Sequence, residues 1–173
     1  MNSKQKKQLE QRFIQLYQEM TQVTNTLGLR DPFSYAVAKE YVVAFTLGHE
    51  VAPNYSGADA INKNGEEVEY KSTMKPEIQA LYSGISNQQT WEEQVPSIKD
   101  KILKRPEHVC SRFEIENGGI LAEVWKLTGR QVYDILLPKL KKSFDGRHTR
   151  KDPRLAAYLT HKEIRGNGKK ILL

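Results

Sequence analysis

Apolar residues recur at three- and four-residue spacing over 4–27, where Leu9, Phe13, Leu16, Met20, Val23 and Leu27 line one side of a Gln- and Lys-rich segment. That period predicts an amphipathic helix, which Gly28 can close. The stripe suits packing on the chain's own core or on the same helix of a second copy, and spacing alone does not choose. A second helix is expected from Asp31-Pro32, a capping acid followed by a first-turn proline. It would carry Tyr35, Ala38, Tyr41, Val42 and Phe45 on its apolar stripe and end at Gly48. Glu40 is the one acid in its middle, and pairing with neighbouring Lys39 is expected over projection towards the strand described next.

Past a connector at 49–54 the period falls to two. Asn64-Gly65 is a hairpin-turn pair with residues of strand character on both sides, so 56–72 reads as a β-hairpin. On its second arm Val68 and Tyr70 point to one face while Glu67, Glu69 and Lys71 point to the other. Asp59 sits on the first arm. The stretch 76–90 is polar and turn-rich, strands are expected at 109–115 and 120–126 around a Gly118-Gly119 turn, and a helix at 129–144 is interrupted or bent at Pro138. A last strand is expected around 157–164. With 173 residues and no repeat or linker, the chain makes one α/β (α+β) domain, 1–173, with a central sheet flanked by helices.

Charge placement narrows the partners. The net charge is +6, but 139–170 alone holds eleven Lys and Arg against Asp145, Asp152 and Glu163, a local +8 that leaves the rest of the chain at −2. Such a segment attracts a polyanion with strong salt dependence; Lys141, Lys142, Arg147, Arg150 and Lys151 are its candidate phosphate contacts. Cys110 is the single cysteine, so neither an intramolecular disulfide nor a multi-Cys zinc site is available, and a reducing compartment fits. His49, His108, His148 and His161 lack metal-ligand spacing. With no apolar leader and no membrane-length apolar run, a cytoplasmic protein without membrane contact is expected.

A Glu-x-Lys on an exposed strand face is ordinarily a solvated pair of little energetic weight. Here Glu69-Tyr70-Lys71 is the only one in the sequence, it faces Asp59 across a hairpin, and the chain is basic. Asp59 and Glu69 offer hard oxygen ligands suited to one or two Mg²⁺ ions, which complete their shells with water and substrate phosphate; the Tyr70 carbonyl could add a further ligand. Lys71 could orient the attacking water, take its proton or stabilise developing negative charge. That set suits metal-assisted hydrolysis of a phosphodiester. In Ser83-Gly84-Ile85-Ser86-Asn87-Gln88-Gln89, the Ser and amide side chains of Ser83, Ser86, Asn87, Gln88 and Gln89 are candidates for reading base edges, Asn and Gln being matched to adenine.

Asp59 followed by Glu69-Tyr70-Lys71 resembles the PD-(D/E)xK nuclease signature, with Ala58 where the proline of the name often stands. The likeness extends through Gly48-His49-Glu50-Val51-Ala52-Pro53, Gly57-Ala58-Asp59-Ala60 and Gly65-Glu66-Glu67-Val68-Glu69-Tyr70-Lys71-Ser72 to type II restriction endonucleases of that family. The resemblance implies a mixed central sheet of restriction-endonuclease type and a homodimer using 1–28 at its interface. It also implies Mg²⁺-dependent cleavage of duplex DNA at a short palindrome, with Asp59, Glu69 and Lys71 as catalytic residues and a methyltransferase protecting the same site. A two-fold protein matches a two-fold target. The likeness does not extend to a histidine-rich base-reading segment, in whose place this chain has Ser83-Gly84-Ile85-Ser86-Asn87-Gln88-Gln89. The alternatives are a structure-selective repair or junction nuclease of the same fold and a catalytically silent basic DNA-binding module.

Overall fold

The structure is a computed structural model and describes residues 2–34, 36–53, 57–149, 151 and 154–171. Tyr35, the 54–56 stretch, Arg150 and Asp152 of the sequence reading lie outside the described residues. In chain order the elements are α1 (Ser3–Thr26), α2 (Val37–Leu47), β1 (Glu50–Val51), β2 (Ala60–Ile61), β3 (Glu67–Thr73) and β4 (Ala80–Ile85). They continue with α3 (Trp91–Leu103), β5 (Glu107–Glu114), β6 (Ile120–Thr128), α4 (Gly129–Asp145), β7 (Leu155–Leu159), α5 (His161–Asn167) and β8 (Lys169–Ile171).

The main sheet runs β1-β2-β3-β5-β6-β8, and a second sheet pairs β4 with β7. In the main sheet β3 and β5 are parallel and every other pairing is antiparallel, so the sheet is mixed. A parallel pair needs a crossover, and here the crossover carries β4 and α3. Two cores result. Val43 and Ala44 of α2 pack with Ala60, Val68, Tyr70, Val109, Phe113 and Val124 on one face of the sheet. The larger core on the other side joins Tyr82, Ile98, Ile102, Cys110, Leu127, Leu136, Leu140 and Leu159, drawn from β4, α3, β5, β6, α4 and β7.

Local chemistry accounts for several departures from the expected elements. α2 starts at Val37 because the Asp31 carboxylate closes a preceding turn instead, accepting from Phe33 N–H (3.0 Å) and Ser34 Oγ–H (2.6 Å). Its buried side is Val37, Tyr41, Val43 and Ala44, leaving Val42 and Phe45 exposed. The polar stretch 76–90 contains β4, and α3 follows it behind a capping box of Thr90 and Glu93. α4 continues through Pro138 to Asp145. The last expected strand ends at Leu159, because Thr160 and Glu163 cap a new helix, α5. α1 buries only Thr24, while Leu9, Phe13, Ile14, Leu16, Met20 and Val23 stay exposed. Among the described residues no helix is long and apolar enough to cross a membrane.

Candidate active site

Asn62 shapes the hairpin that carries the acids. Its Oδ1 accepts from Asn64 N–H (3.0 Å) and Glu66 N–H (3.1 Å), and Gly65 N–H donates to Asn62 O (2.9 Å). Lys63 and Asn64 therefore form the turn centre, and Gly65, at φ +79°, is the left-handed residue that follows. Further along, Asp59 N–H still donates to Val68 O (3.0 Å), but the next available β3 donor, Tyr70 N–H, goes to Asp59 Oδ2 (2.7 Å). The carboxylate is thereby fixed against β3 beside Glu69.

Alternation along β3 follows the expected faces. Val68 and Tyr70 are buried in the smaller core, and the Tyr70 phenol meets His49 Nδ1 at 2.8 Å, so only main-chain atoms of Tyr70 reach the acidic face. On that face Lys71 Nζ lies 2.5 Å from Glu69 Oε1, their side chains 24% and 15% exposed. Lys71 Nζ also stands 5.4 Å from the ring centroid of Tyr82 on β4. Tyr82 is held in turn: its Oη is 2.9 Å from His108 Nδ1, and His108 Nε2 is 2.9 Å from Ile102 O. Because a carbonyl only accepts, His108 Nε2 carries the proton and Nδ1 accepts from the Tyr82 hydroxyl.

The charges interact strongly. Burial, then the neighbouring Glu69 carboxylate, pushes the Asp59 carboxyl up to about 6, outweighing the Tyr70 N–H bond and the Lys71 charge. Burial works against the Lys71 ammonium, but Glu69 and Asp59 more than offset it and hold its pKa above the usual lysine value. Cys110, opposite Lys71 in register, is pushed up to about 12 by burial and stays a thiol. Glu40 pairs with Arg30 (3.1 Å) and not with Lys39, whose Nζ rests on Met74 Sδ (3.3 Å). Its charge still adds to the upward shift of Asp59, so it acts on the site through the field.

Arg105, just past the end of α3, spans Glu69 Oε2 (3.7 Å) and Glu67 Oε2 (3.6 Å) with a side chain 11% exposed. At those separations neither contact is a hydrogen bond, and both Arg105 Nε and Glu67 Oε2 are buried without one. Nothing local in the sequence marks this residue, and α3 itself is concealed behind the polar stretch 76–90. The Thr90 to Glu93 capping spacing was the signal available for the helix.

The candidate DNA-contacting residues divide. Ser83 lies on β4; Ser86, Asn87 and Gln89 are exposed and Gln88 is half-buried. Fully buried Gln94 of α3 braces this segment, donating to Ser86 O (3.0 Å) and accepting from Gln88 N–H (2.9 Å). Arg147 ties it to the basic region: Nη2 donates to Gln89 O (2.9 Å), and the guanidinium stacks 3.6 Å from the Phe144 ring centroid. Asn87, Gln88, Gln89, Arg147 and His148 line one shallow depression. Lys142 and Lys151 are exposed. Other basic side chains are engaged within the fold: Lys141 with Asp145 (2.6 Å), Lys139 with Glu163 (2.6 Å) and Arg165 with Glu123 (3.0 Å). The basic segment is thus less of a continuous patch than its composition suggests.

No protein-family model matches the chain, and no curated protein matches it in sequence. Among the described residues no group of three or more His, Cys, Asp and Glu is arranged to hold a metal ion. The acidic pair at Asp59 and Glu69 is a two-carboxylate arrangement, and its donors are hard oxygens.

Proposed function

We propose that this chain is a metal-dependent phosphodiesterase of the PD-(D/E)xK type. More particularly, it is read as a type II restriction endonuclease that cuts duplex DNA at a short palindrome. The observation that carries the reading is the convergence of Asp59, Glu69 and Lys71 on one face of β3, with Asp59 pushed up to about 6. A carboxylate whose charge is disfavoured by burial and by a neighbouring acid is stabilised by a cation beside it. Mg²⁺ fits this donor set because it needs only one or two carboxylates and keeps water and phosphate in its remaining positions. Asp59 and Glu69 would hold it, with the Tyr70 carbonyl as a further donor; when bound, the ion supplies charge neutralisation at the phosphate and a more acidic water.

The chain's own residues prepare the rest. Lys71 begins as an ammonium held by Glu69. Once the carboxylate charges are engaged elsewhere, burial favours the neutral amine, which can take a proton at Nζ. The Tyr82 ring keeps that group beside β3. Gly84 and Ser86 line the cleft beside Glu69, and Arg147 holds the same segment at Gln89 O, so 83–89 is where base edges would be read. The exposed apolar side chains of α1 support a homodimer through that helix, and a restriction enzyme requires a methyltransferase acting on its own site to protect host DNA.

Plasmid DNA incubated with the protein and Mg²⁺ should yield discrete fragments with defined ends. Asp59→Ala and Lys71→Ala should abolish cutting while duplex binding persists. Undiminished cutting by Asp59→Ala would refute the site, and cutting confined to branched or nicked DNA would favour a repair nuclease. One observation favours a second reading, a silent DNA-binding module: Glu69 is already engaged by Lys71 and Arg105. That reading predicts no heat of Mg²⁺ binding by calorimetry.

A further inference from the structure

Beside Glu69 a cleft of about 350 Å³ opens between β4 and α3, and its wall is mostly polar. Ser97, Lys101 and Arg105 line it at four-residue spacing, a row that runs down one side of α3 and past its end. Opposite them lie Gly57, Gly84 and Ser86, while Asp100 adds one acid. The three members of the row differ in how they are engaged. Arg105 is committed to Glu67 and Glu69. Among the described residues Lys101 makes no ion pair within 4.0 Å, and its one hydrogen bond is a long one, 3.4 Å, to Gly84 O.

Such a lysine is held at a disadvantage. It is half-buried, and Lys71 and Arg105 repel it; burial first, with those two cations, brings its pKa below the usual lysine value although Glu69 opposes them. A cation kept partly desolvated beside other cations gains most when an anion arrives. Gly84 O is a weak tether that an anionic oxygen would readily replace, since charge-assisted bonds are shorter and stronger. Lys71 and Arg105 already neutralise Glu69, so an incoming oxyanion meets Asp100 as the remaining acid of the cleft wall.

We propose that Lys101, with Ser97 one turn before it, receives a backbone phosphate of the DNA strand next to the phosphate that faces Asp59, Glu69 and Lys71. The assignment rests on the endonuclease reading above and adds a substrate contact from α3. Gly84 opens the segment that includes Ser86, Asn87, Gln88 and Gln89. Transfer of Lys101 from Gly84 O to a phosphate would leave that segment in place, because Gln94 and Arg147 still hold it.

The test is duplex binding without divalent cation, followed by fluorescence anisotropy between about 50 and 200 mM salt. Losing one phosphate contact lowers the slope of log affinity against log salt by about 0.9. At 0.1 M that is about eightfold weaker binding. Lys101→Met should show both effects, and Lys101→Arg should restore the slope. Lys101→Gln keeps a donor for Gly84 O without the charge, so it should behave as Lys101→Met if the charge is what matters. A wild-type slope in the Gln and Met variants would overturn the phosphate contact while leaving the endonuclease reading intact. A wild-type protein that does not bind duplex DNA would instead overturn the endonuclease reading, and this contact with it.

Discussion

Replacing Asp59 with Asn should stabilise the metal-free protein at neutral pH. The carboxyl is held near 6 in the fold against 3.8 unperturbed, chiefly by burial and then by Glu69. At 1.36 kcal/mol per pH unit, ionising it costs the folded state up to about 3 kcal/mol. The sign follows from proton linkage: between 3.8 and about 6 the folded chain binds the proton that the unfolded chain has released, so stability falls as pH rises through that window. Asn is neutral throughout and keeps an oxygen to accept Tyr70 N–H. Urea denaturation in EDTA should therefore show Asp59→Asn more stable than wild type by about 2–3 kcal/mol at pH 7.5. The gap should close on going down to pH 4. Adding Mg²⁺ should stabilise wild type and leave the variant unchanged. Equal stability at pH 7.5, or a gap that ignores pH, would refute the electrostatic account of the acidic pair.

Tyr82→Phe keeps the ring beneath Lys71 but leaves buried His108 Nδ1 without its donor; equilibrium unfolding should register a loss of about 1–3 kcal/mol, and an unchanged midpoint would show that the pair does not hold the site. A Cβ at Gly129 would stand 2.5 Å from Arg105 O and 3.2 Å from Ile102 O. Gly129→Ala should thus lower the melting temperature, at about 1–3 kcal/mol, because rigid backbone must yield. Phe13, 71% exposed on α1, should sit in the subunit contact: light scattering should give a dimer for wild type and a monomer for Phe13→Glu, and a monomeric wild type would refute the use of α1.

How much was legible in the sequence varied with how local the cause was. The alternation of Val68, Glu69, Tyr70 and Lys71 is a property of one strand, and the faces follow from it directly. α1, α4 and the β5–β6 pair were likewise visible from periodicity and from Gly118-Gly119. β4 was obscured because its pairing partner, β7, lies 70 to 79 residues away in register, and strand pairing at that distance leaves little mark on local composition. The basic segment misled in a different way: counting charges does not reveal that Glu123 and Glu163 take up Arg165 and Lys139. Arg105 and Lys101 join the site only because the β3 to β5 crossover brings α3 back to the acidic face, a fact of topology.

The bond from Tyr70 N–H to the Asp59 carboxylate has one further consequence. A main-chain amide that donates to a titrating oxygen changes its magnetic environment with the charge on that oxygen. The Tyr70 ¹⁵N–¹H resonance is therefore a built-in indicator of the acidic pair, reporting its protonation without any label at the chemistry itself. Its chemical shift should move through a midpoint close to pH 6, as Asp59 ionises, and that titration should vanish on Asp59→Asn substitution.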